Sequence, residues 1–298
     1  MTTTPATTTP EKIRILAFTD PYCSWCWATE PEVLALKERY GDRIDLQFVM
    51  GGLVEDMSTF YDASNDIGTA AAVVPHWAMV SERSGQPIDE NLWVDIEEHP
   101  HFSTWPANVA AEAAFLQGEV IGEKYLRRLR RAALTERRII SLEDEYLALA
   151  RETEGLDYDA FTTALADGSA QNAFERDRAI CEAYGVTGFP TMLIGWPANE
   201  ADPSVPQRTS YLVNGHRSMN VYERALTLLD PEIEKKPAMR SIAELIGEYG
   251  PLTRRELAEL TDKTTGEVAS ELDTLTADGV LRALTYKKGT KNSLWTLA

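Results

Sequence analysis

The stretch that decides the fold is Asp20-Pro21-Tyr22-Cys23-Ser24-Trp25-Cys26-Trp27. An apolar run over residues 13–19 precedes it and predicts a buried strand. Residues 32–40 follow it with helical periodicity, and Gly41 marks the end of the predicted helix. The two cysteines therefore lie where a strand enters the first turn of a helix.

A Cys-x-x-Cys pair at an exposed helix start favours redox chemistry. The unpaired N–H groups and the dipole of that helix end stabilise an anion, and a thiolate is such an anion. A lowered thiol pKa is what redox catalysis needs, and Cys23 and Cys26 share one turn and can close a disulfide. Half a metal site and two packed core cysteines are the alternatives. Zinc would need two more ligands, and the only other cysteine in the sequence is Cys181, which we expect to be an inert buried thiol.

A second stretch, Tyr184-Gly185-Val186-Thr187-Gly188-Phe189-Pro190-Thr191, precedes another apolar run. A proline that opens a strand after a glycine-rich turn is a candidate for a cis peptide bond. An ordinary trans proline on an edge strand is the alternative.

Three segments together resemble the DsbA family, and within it the FrnE branch of cytosolic dithiol-disulfide oxidoreductases. They are residues 20–27, Ser103-Thr104-Trp105-Pro106-Ala107-Asn108 and residues 186–191. The resemblance covers roughly residues 12–230 and implies an α/β, thioredoxin-like fold with a helical insertion. The same superfamily contains glutathione-linked isomerases with serine at the first cysteine, which Cys23 disfavours, and protease adaptors with little redox role, which stay open.

The resemblance also implies roles for the residues of the site. Cys23 would be the attacking thiolate or the attacked sulfur, and Cys26 would resolve the mixed disulfide. The implied substrate-binding residues are Phe189, Pro190, Thr191, Trp25 and Trp105. The middle pair of the motif lacks the histidine of strongly oxidising DsbA proteins, so we expect a reduction potential nearer to that of thioredoxins.

Two further residues are expected to modulate the dithiol. Ala17 stands where thioredoxins keep a buried acid, so proton transfer to Cys26 would use Asp20 or water. His216 follows a predicted strand that runs antiparallel to the proline strand, which would return it to the dithiol end of the sheet. A protonated imidazole there would stabilise a thiolate. No metal and no cofactor beyond the disulfide itself is predicted.

Residues from about 53 to 170 contain helical patterns and almost no strand-like runs, which predicts the helical insertion. One segment of it is strongly basic, with arginines at positions 127, 128, 130, 131, 137 and 138. Such a cluster is either a solvated helix face paired with carboxylates or a docking patch for an acidic partner.

Residues 231–238 form a charged, proline-bounded linker, and residues 239–298, the C-terminal module, follow it. Three helical patterns and two strand-like runs in the module resemble the winged-helix domains of MarR-like regulators. The predicted recognition helix carries four acidic residues, which argues against DNA binding; they are Glu267, Glu271, Asp273 and Asp278. We expect a protein-interaction or self-association module, and oligomerisation is left open.

Composition bears on the compartment. The formal net charge is −18, from 47 acidic against 29 basic residues, which indicates a salt-rich, halophilic cytosol and disfavours membranes and nonspecific nucleic-acid binding. Residues 1–11 are polar, lack a signal-peptide pattern and are expected to be disordered. The predicted location is cytoplasmic.

The sequence thus predicts a cytosolic thiol-disulfide oxidoreductase or isomerase whose partners are protein dithiols or disulfides and a thiol reductant. The alternative is a redox-sensing regulator or protease adaptor in which the dithiol controls partner binding by the C-terminal module.

Overall fold

The structure is a computed structural model that describes residues 11–195, 209–284 and 294–298. Nearly all of the tail expected over residues 1–11 and the basic tip between the last two strands, residues 287–292, lie outside these ranges.

A four-stranded sheet carries the dithiol. Its strands are β1 (Ile13–Thr19), β2 (Ile44–Met50), β3 (Thr191–Gly195) and β4 (Ser210–Asn214), in the order β2-β1-β3-β4. β1 runs parallel to β2, and β3 is antiparallel to β1 and β4. Helix α1 (Ser24–Tyr40) connects β1 to β2, which completes a β-α-β unit. The active-site motif therefore lies at the carboxyl end of a central strand.

Helices fill the connection between β2 and β3. They are α2 (Ala70–Ser84), α3 (Leu92–Ile96), α4 (Trp105–Phe115), α5 (Glu119–Glu136), α6 (Glu143–Glu152), α7 (Tyr158–Ala166) and α8 (Ser169–Ala183). The first six form the insertion, whose core is continuous with the buried side chain of Trp27 on α1. After β4, α9 (Met219–Leu229) packs on the sheet beside α1. The α/β, thioredoxin-like fold with a helical insertion is confirmed.

Helix α1 contains an internal proline, and a distant glutamine compensates for it. Pro31 has no N–H, so the carbonyl of Trp27, four residues earlier, loses its helical partner. That carbonyl accepts a hydrogen bond from Nε2 of Gln86 at 3.1 Å instead. Oε1 of Gln86 in turn accepts from the hydroxyl of Thr253 at 2.6 Å. One buried amide thus connects the middle of α1 to the C-terminal module.

The C-terminal module has its own core. Its elements are α10 (Ile242–Tyr249), β5 (Leu252–Thr253), α11 (Arg254–Thr261), α12 (Thr265–Ala277), β6 (Leu281–Leu284) and β7 (Leu294–Leu297). The strands form an antiparallel sheet in the order β5-β7-β6. The predicted capping box is present: Thr253 and Glu256 exchange hydrogen bonds of 2.7 and 3.1 Å at the start of α11. Leu34 of α1 belongs to the core of this module, so the module packs directly on the active-site helix.

Charged side chains cross the same junction in a buried ion cluster of Glu30, Arg127, Arg130 and Glu256. Arg127 of α5 donates to both oxygens of Glu256, at 2.8 and 3.1 Å, and to Oε1 of Glu30 at 3.1 Å. Arg130 donates to Oε2 of the same Glu30 at 2.6 Å. Independent folding of the module, which the linker indicates, stays a prediction, and any test of it must allow for this cluster.

Candidate redox site

A disulfide joins Cys23 and Cys26, whose Cα atoms are 5.1 Å apart. Cys23 is the N-cap residue of α1, and its Sγ accepts a 3.0 Å hydrogen bond from the backbone N–H of Cys26. The first turn of α1 carries no acidic side chain, so the positive end of the helix dipole is not offset there. Each cysteine is only 4% exposed. The sequence suggested an exposed helix start. In the structure Cys23 is instead covered, because loops and aromatic side chains surround it.

Cys23 lines a cleft of about 620 Å³. Its apolar walls include Tyr22, Trp25, Met57, Phe60, Tyr61, Ile67, Val73, Trp77, Trp93 and Phe189. Asp62 is the only carboxylate among the described lining residues, and none of them is lysine or arginine. The cleft thus combines aromatic surface with polar side chains, and it offers an anion no lysine or arginine among the described lining residues.

The Phe189–Pro190 peptide bond is cis, as predicted. The ring of Phe189 covers Gly51, where any Cβ would overlap it. The carbonyl of Pro190 accepts from the N–H of Gly215 at 2.8 Å, which fixes the proline loop to the end of β4. Pro190 and Thr191 also line a second, very small cavity together with Cys26. The proline loop therefore adjoins the dithiol, while substrate contacts by Phe189, Pro190 and Thr191 stay predictions.

Trp25 is held between two imidazoles. It stacks on His216, with ring centroids 5.8 Å apart, and meets His76 edge-on at 6.5 Å. Nδ1 of His216 lies 3.1 Å from the hydroxyl of Thr29, which already donates its proton to the carbonyl of Trp25. Nδ1 of His216 must therefore be the donor to Thr29. His216 thus lies beside the Cys-x-x-Cys turn, and its effect on the thiols stays a prediction.

The protonation state of His216 follows from its surroundings. Burial, and then the positive charges of Arg255 and Arg217, lower the pKa of His216 below its ordinary value of 6.5. The imidazole is therefore neutral at pH 7, and electrostatic help to a thiolate, if present, is confined to more acidic conditions.

A His216→Gln variant is expected to lose less stability than the wild type when the pH falls from 7.5 to 5. Because the folded-state pKa of His216 is lowered, the unfolded chain binds a proton first as the pH drops below about 6.5, which disfavours folding of the wild type. Urea unfolding at both pH values measures this, with the exposed His101→Gln as the control. Identical pH dependences for the wild type and His216→Gln would contradict it.

Asp20 is fully buried and anchors the cysteine turn. Its carboxylate accepts hydrogen bonds from the backbone N–H groups of Tyr22 and Leu53 at 2.8 and 2.7 Å. It also accepts from Thr104 at 2.7 Å and Asn108 at 2.8 Å, both from the middle segment of the family resemblance. Burial raises the pKa of Asp20, and the four hydrogen bonds oppose that rise. Asp20 thus joins the end of β1 to the insertion, while its role in proton transfer stays a prediction.

Trp105 lies behind the wall of the cleft. Its Nε1–H donates to the carbonyl of Gly52 at 3.3 Å, and the Arg178 guanidinium lies 4.0 Å from its ring centroid. It is absent from the described residues that line the cleft, where Trp77 and Trp93 stand instead. A substrate contact by Trp105 stays a prediction.

Sequence reasoning did not single out Arg130. The basic cluster of α5 was interpreted as a surface, yet the side chain of Arg130 is 3% exposed and lines the same small cavity as Cys26. A signal was present in the acidic Glu30, which interrupts the apolar pattern of α1 and needs a buried cation. Cys181 is buried as predicted, and burial raises the pKa of its thiol to about 12.

Within the described ranges, no group of three or more His, Cys, Asp or Glu side chains could hold a metal ion. None of the described helices has the length and apolar character needed to cross a bilayer. The predictions about cofactors and compartment stay predictions.

A DsbA-type thioredoxin fold with a Cys-x-x-Cys disulfide defines the class of this protein. The model of a thioredoxin family matches residues 16–224, and the chain belongs to that family.

Similar proteins include both adapters and redox proteins. The ClpXP adapter protein SpxH of Bacillus subtilis (strain 168) is 29% identical over 268 residues, covering 89% of this chain and 84% of the relative. A probable DsbA oxidoreductase from Streptomyces coelicolor superimposes with a TM-score of 0.54 at 19% identity, over 77% of this chain and 94% of its own. The cytosolic disulfide reductase DsbM from Pseudomonas aeruginosa has a TM-score of 0.51 at 22% identity, over 67% of this chain and 89% of its own. The two structural likenesses show the fold alone.

Proposed function

We propose that this protein is a cytosolic thiol-disulfide oxidoreductase or isomerase that acts on protein dithiols and disulfides. The observation that carries the proposal is the position of the Cys23–Cys26 disulfide, at the start of α1, with Cys23 in the wall of a cleft that has aromatic side chains and with Cys26 beside Pro190. A helix start stabilises the thiolate that thiol-disulfide exchange requires. Cys23 lines the cleft and Cys26 does not, so we assign Cys23 as the cysteine that a substrate meets.

The exchange proceeds in two balanced steps. The Cys23 thiolate attacks one sulfur of a substrate disulfide, a mixed disulfide forms, and the other substrate sulfur leaves as a thiolate. The Cys26 thiolate then attacks the Cys23 sulfur, closes the Cys23–Cys26 bond and releases the second substrate thiolate. Two electrons pass from the protein to the substrate, and a thiol reductant restores the dithiol. Oxidation of a substrate dithiol is the same sequence in reverse.

The lining of the cleft supports a substrate with apolar residues next to its cysteine. Trp25, Phe60 and Trp77 offer aromatic surface, and the described lining has no lysine or arginine to pair with carboxylates. An extended apolar segment of an unfolded chain would bury its side chains there, whereas an anionic small thiol would lose its hydration without a cationic partner.

Insulin reduction, followed by trapping, tests the proposal. The wild type is expected to reduce insulin catalytically with a thiol reductant, and Cys26→Ala to accumulate mixed disulfides, because Cys23 can attack but the complex cannot be resolved. Mass spectrometry of the trapped species identifies substrates, and Cys181→Ala is the matched control that should trap none. Absence of turnover in the wild type, or equal trapping by both variants, would overturn the oxidoreductase assignment.

A second candidate function is that of a redox-sensing adapter. The similarity to the ClpXP adapter SpxH spans 89% of this chain, more than residues 1–230 can supply, so it extends into the C-terminal module. We propose that this module is winged-helix-like, on the arrangement of α10–α12 and β6–β7, and that it binds a protein such as a ClpXP-type protease or its substrate. The acidic residues of α12 disfavour DNA. An adapter would react with oxidant once per chain, whereas an enzyme turns over.

A further inference from the structure

Cys26 lines a small cavity of about 10 Å³ together with residues of two other segments. One is the proline loop, through Pro190 and Thr191, and the other is Arg130 of α5. Ala17 also lines this cavity, with a methyl group where the resemblance to thioredoxins would place a buried acid. Arg130 is the only charged residue among the described residues that line this cavity.

The guanidinium of Arg130 is only partly engaged. Its Nη1 donates to Glu30 at 2.6 Å, and its Nη2 donates to the hydroxyl of Thr19. Its Nε is buried and has no hydrogen-bond partner among the described residues. A buried, unpaired N–H of a charged group costs free energy, so this donor is available to an anion that forms beside it.

Reduction of the disulfide creates such an anion. In the oxidised protein the Cys26 sulfur carries no charge, whereas in either direction of exchange it becomes a thiolate, as the leaving group or as the resolving nucleophile. Cys26 is 4% exposed, so water stabilises this anion poorly, and an adjacent positive charge favours the ionised form.

We propose that Arg130 is the cationic partner of the Cys26 thiolate in the reduced protein. This inference rests on the proposed dithiol chemistry and adds to it the group that stabilises the buried sulfur. Glu30 competes with the thiolate for the same guanidinium. The position of Arg130 and its sharing of Glu30 with Arg127 then determine how readily Cys26 ionises.

The test measures the Cys26 pKa directly, by thiolate ultraviolet absorbance against pH in a Cys23→Ser background. Arg130→Met is expected to raise the Cys26 pKa by at least about 1, and Arg130→Lys to keep most of the effect. Glu30→Gln is expected to lower the Cys26 pKa, because it removes a negative charge near the thiolate and also removes the carboxylate that competes with the thiolate for the Arg130 guanidinium. Arg128 lies two residues before Arg130 on α5, does not line the cavity and is paired with Glu136 and Glu152; Arg128→Met is the matched control and should leave the Cys26 pKa unchanged.

The Cys26 pKa is expected to rise in Arg130→Met and to fall in Glu30→Gln. These opposite shifts distinguish a charge partner from a structural role, since loosening of the buried ion cluster would shift the Cys26 pKa in the same direction in both variants. An unchanged Cys26 pKa in Arg130→Met, or an unchanged or raised one in Glu30→Gln, would overturn the inference. If Arg130→Met fails to fold, Arg130→Lys and Glu30→Gln decide. No substrate enters this titration, so its failure leaves the proposed function intact, whereas absent insulin turnover with the expected pKa changes would refute the proposed function alone.

Discussion

Replacing Arg127 by methionine is expected to lower the free energy of unfolding by about 3–5 kcal/mol. Arg127 is the only described side chain that bonds both Glu30 of α1 and Glu256 of the C-terminal module. Glu256 is 0% exposed, so removal of its partner leaves a carboxylate with neither water nor a cation. The penalty is that of an uncompensated buried charge rather than the modest net value of an ion pair.

Urea unfolding of the full chain measures the loss of stability in Arg127→Met, and two further variants serve as comparisons. Arg127→Met/Glu256→Gln should regain much of the lost stability, because the neutral amide no longer needs a cation and still caps α11. Lys236→Met removes an ion pair between the linker and Asp42 whose side chains are 55% and 56% exposed, and should cost about 0–1 kcal/mol. A cost for Arg127→Met no larger than that of Lys236→Met would refute the view that the cluster fastens the module.

Replacing Cys23 by serine is expected to reduce dithiol exchange to the uncatalysed background. Cys23 lines the cleft and is the N-cap residue of α1. Its Sγ accepts a hydrogen bond from the N–H of Cys26 and lies at the positive end of the helix dipole. Both interactions favour the thiolate, so the pKa of Cys23 should lie below the free value of about 8.5 and below that of Cys26. The reactive form of Cys23 then persists towards lower pH.

Alkylation rates against pH, measured on Cys23→Ser and Cys26→Ser separately, give the two pKa values, and insulin reduction gives the turnover. Cys181→Ser is the control and should change neither measurement, because its thiol is buried and has a pKa of about 12. Equal and unshifted alkylation profiles for the two motif cysteines would contradict the assignment of roles.

The features that the sequence predicted well are local. The strand, the Cys-x-x-Cys turn and the helix follow from some thirty consecutive residues, and the cis bond before Pro190 and the capping box at Thr253 each follow from a few. Their physical causes, hydrophobic periodicity and backbone hydrogen bonding, act over short distances along the chain.

The features that it did not predict depend on packing between distant segments. Asp20 meets Asn108 across 88 positions, and Arg130 meets Glu30 across 100. The low exposure of Cys23 depends on loops that fold over it, and the position of Trp105 depends on its contact with Gly52. A pattern can show that a buried carboxylate needs a partner, but only the assembled insertion shows which arginine supplies it.

The sharing of Glu30 has a thermodynamic consequence. One carboxylate serves a guanidinium at the cavity of Cys26 and a second guanidinium held by the C-terminal module. Coupling between two sites is reciprocal, so a partner that binds the reduced protein more tightly than the oxidised one must make the disulfide easier to reduce by the same free energy. Each tenfold preference would displace the two-electron potential by about 30 mV. The reduction potential of the disulfide, measured with and without the bound partner, would thus report binding at the C-terminal module although the partner does not contact the thiols.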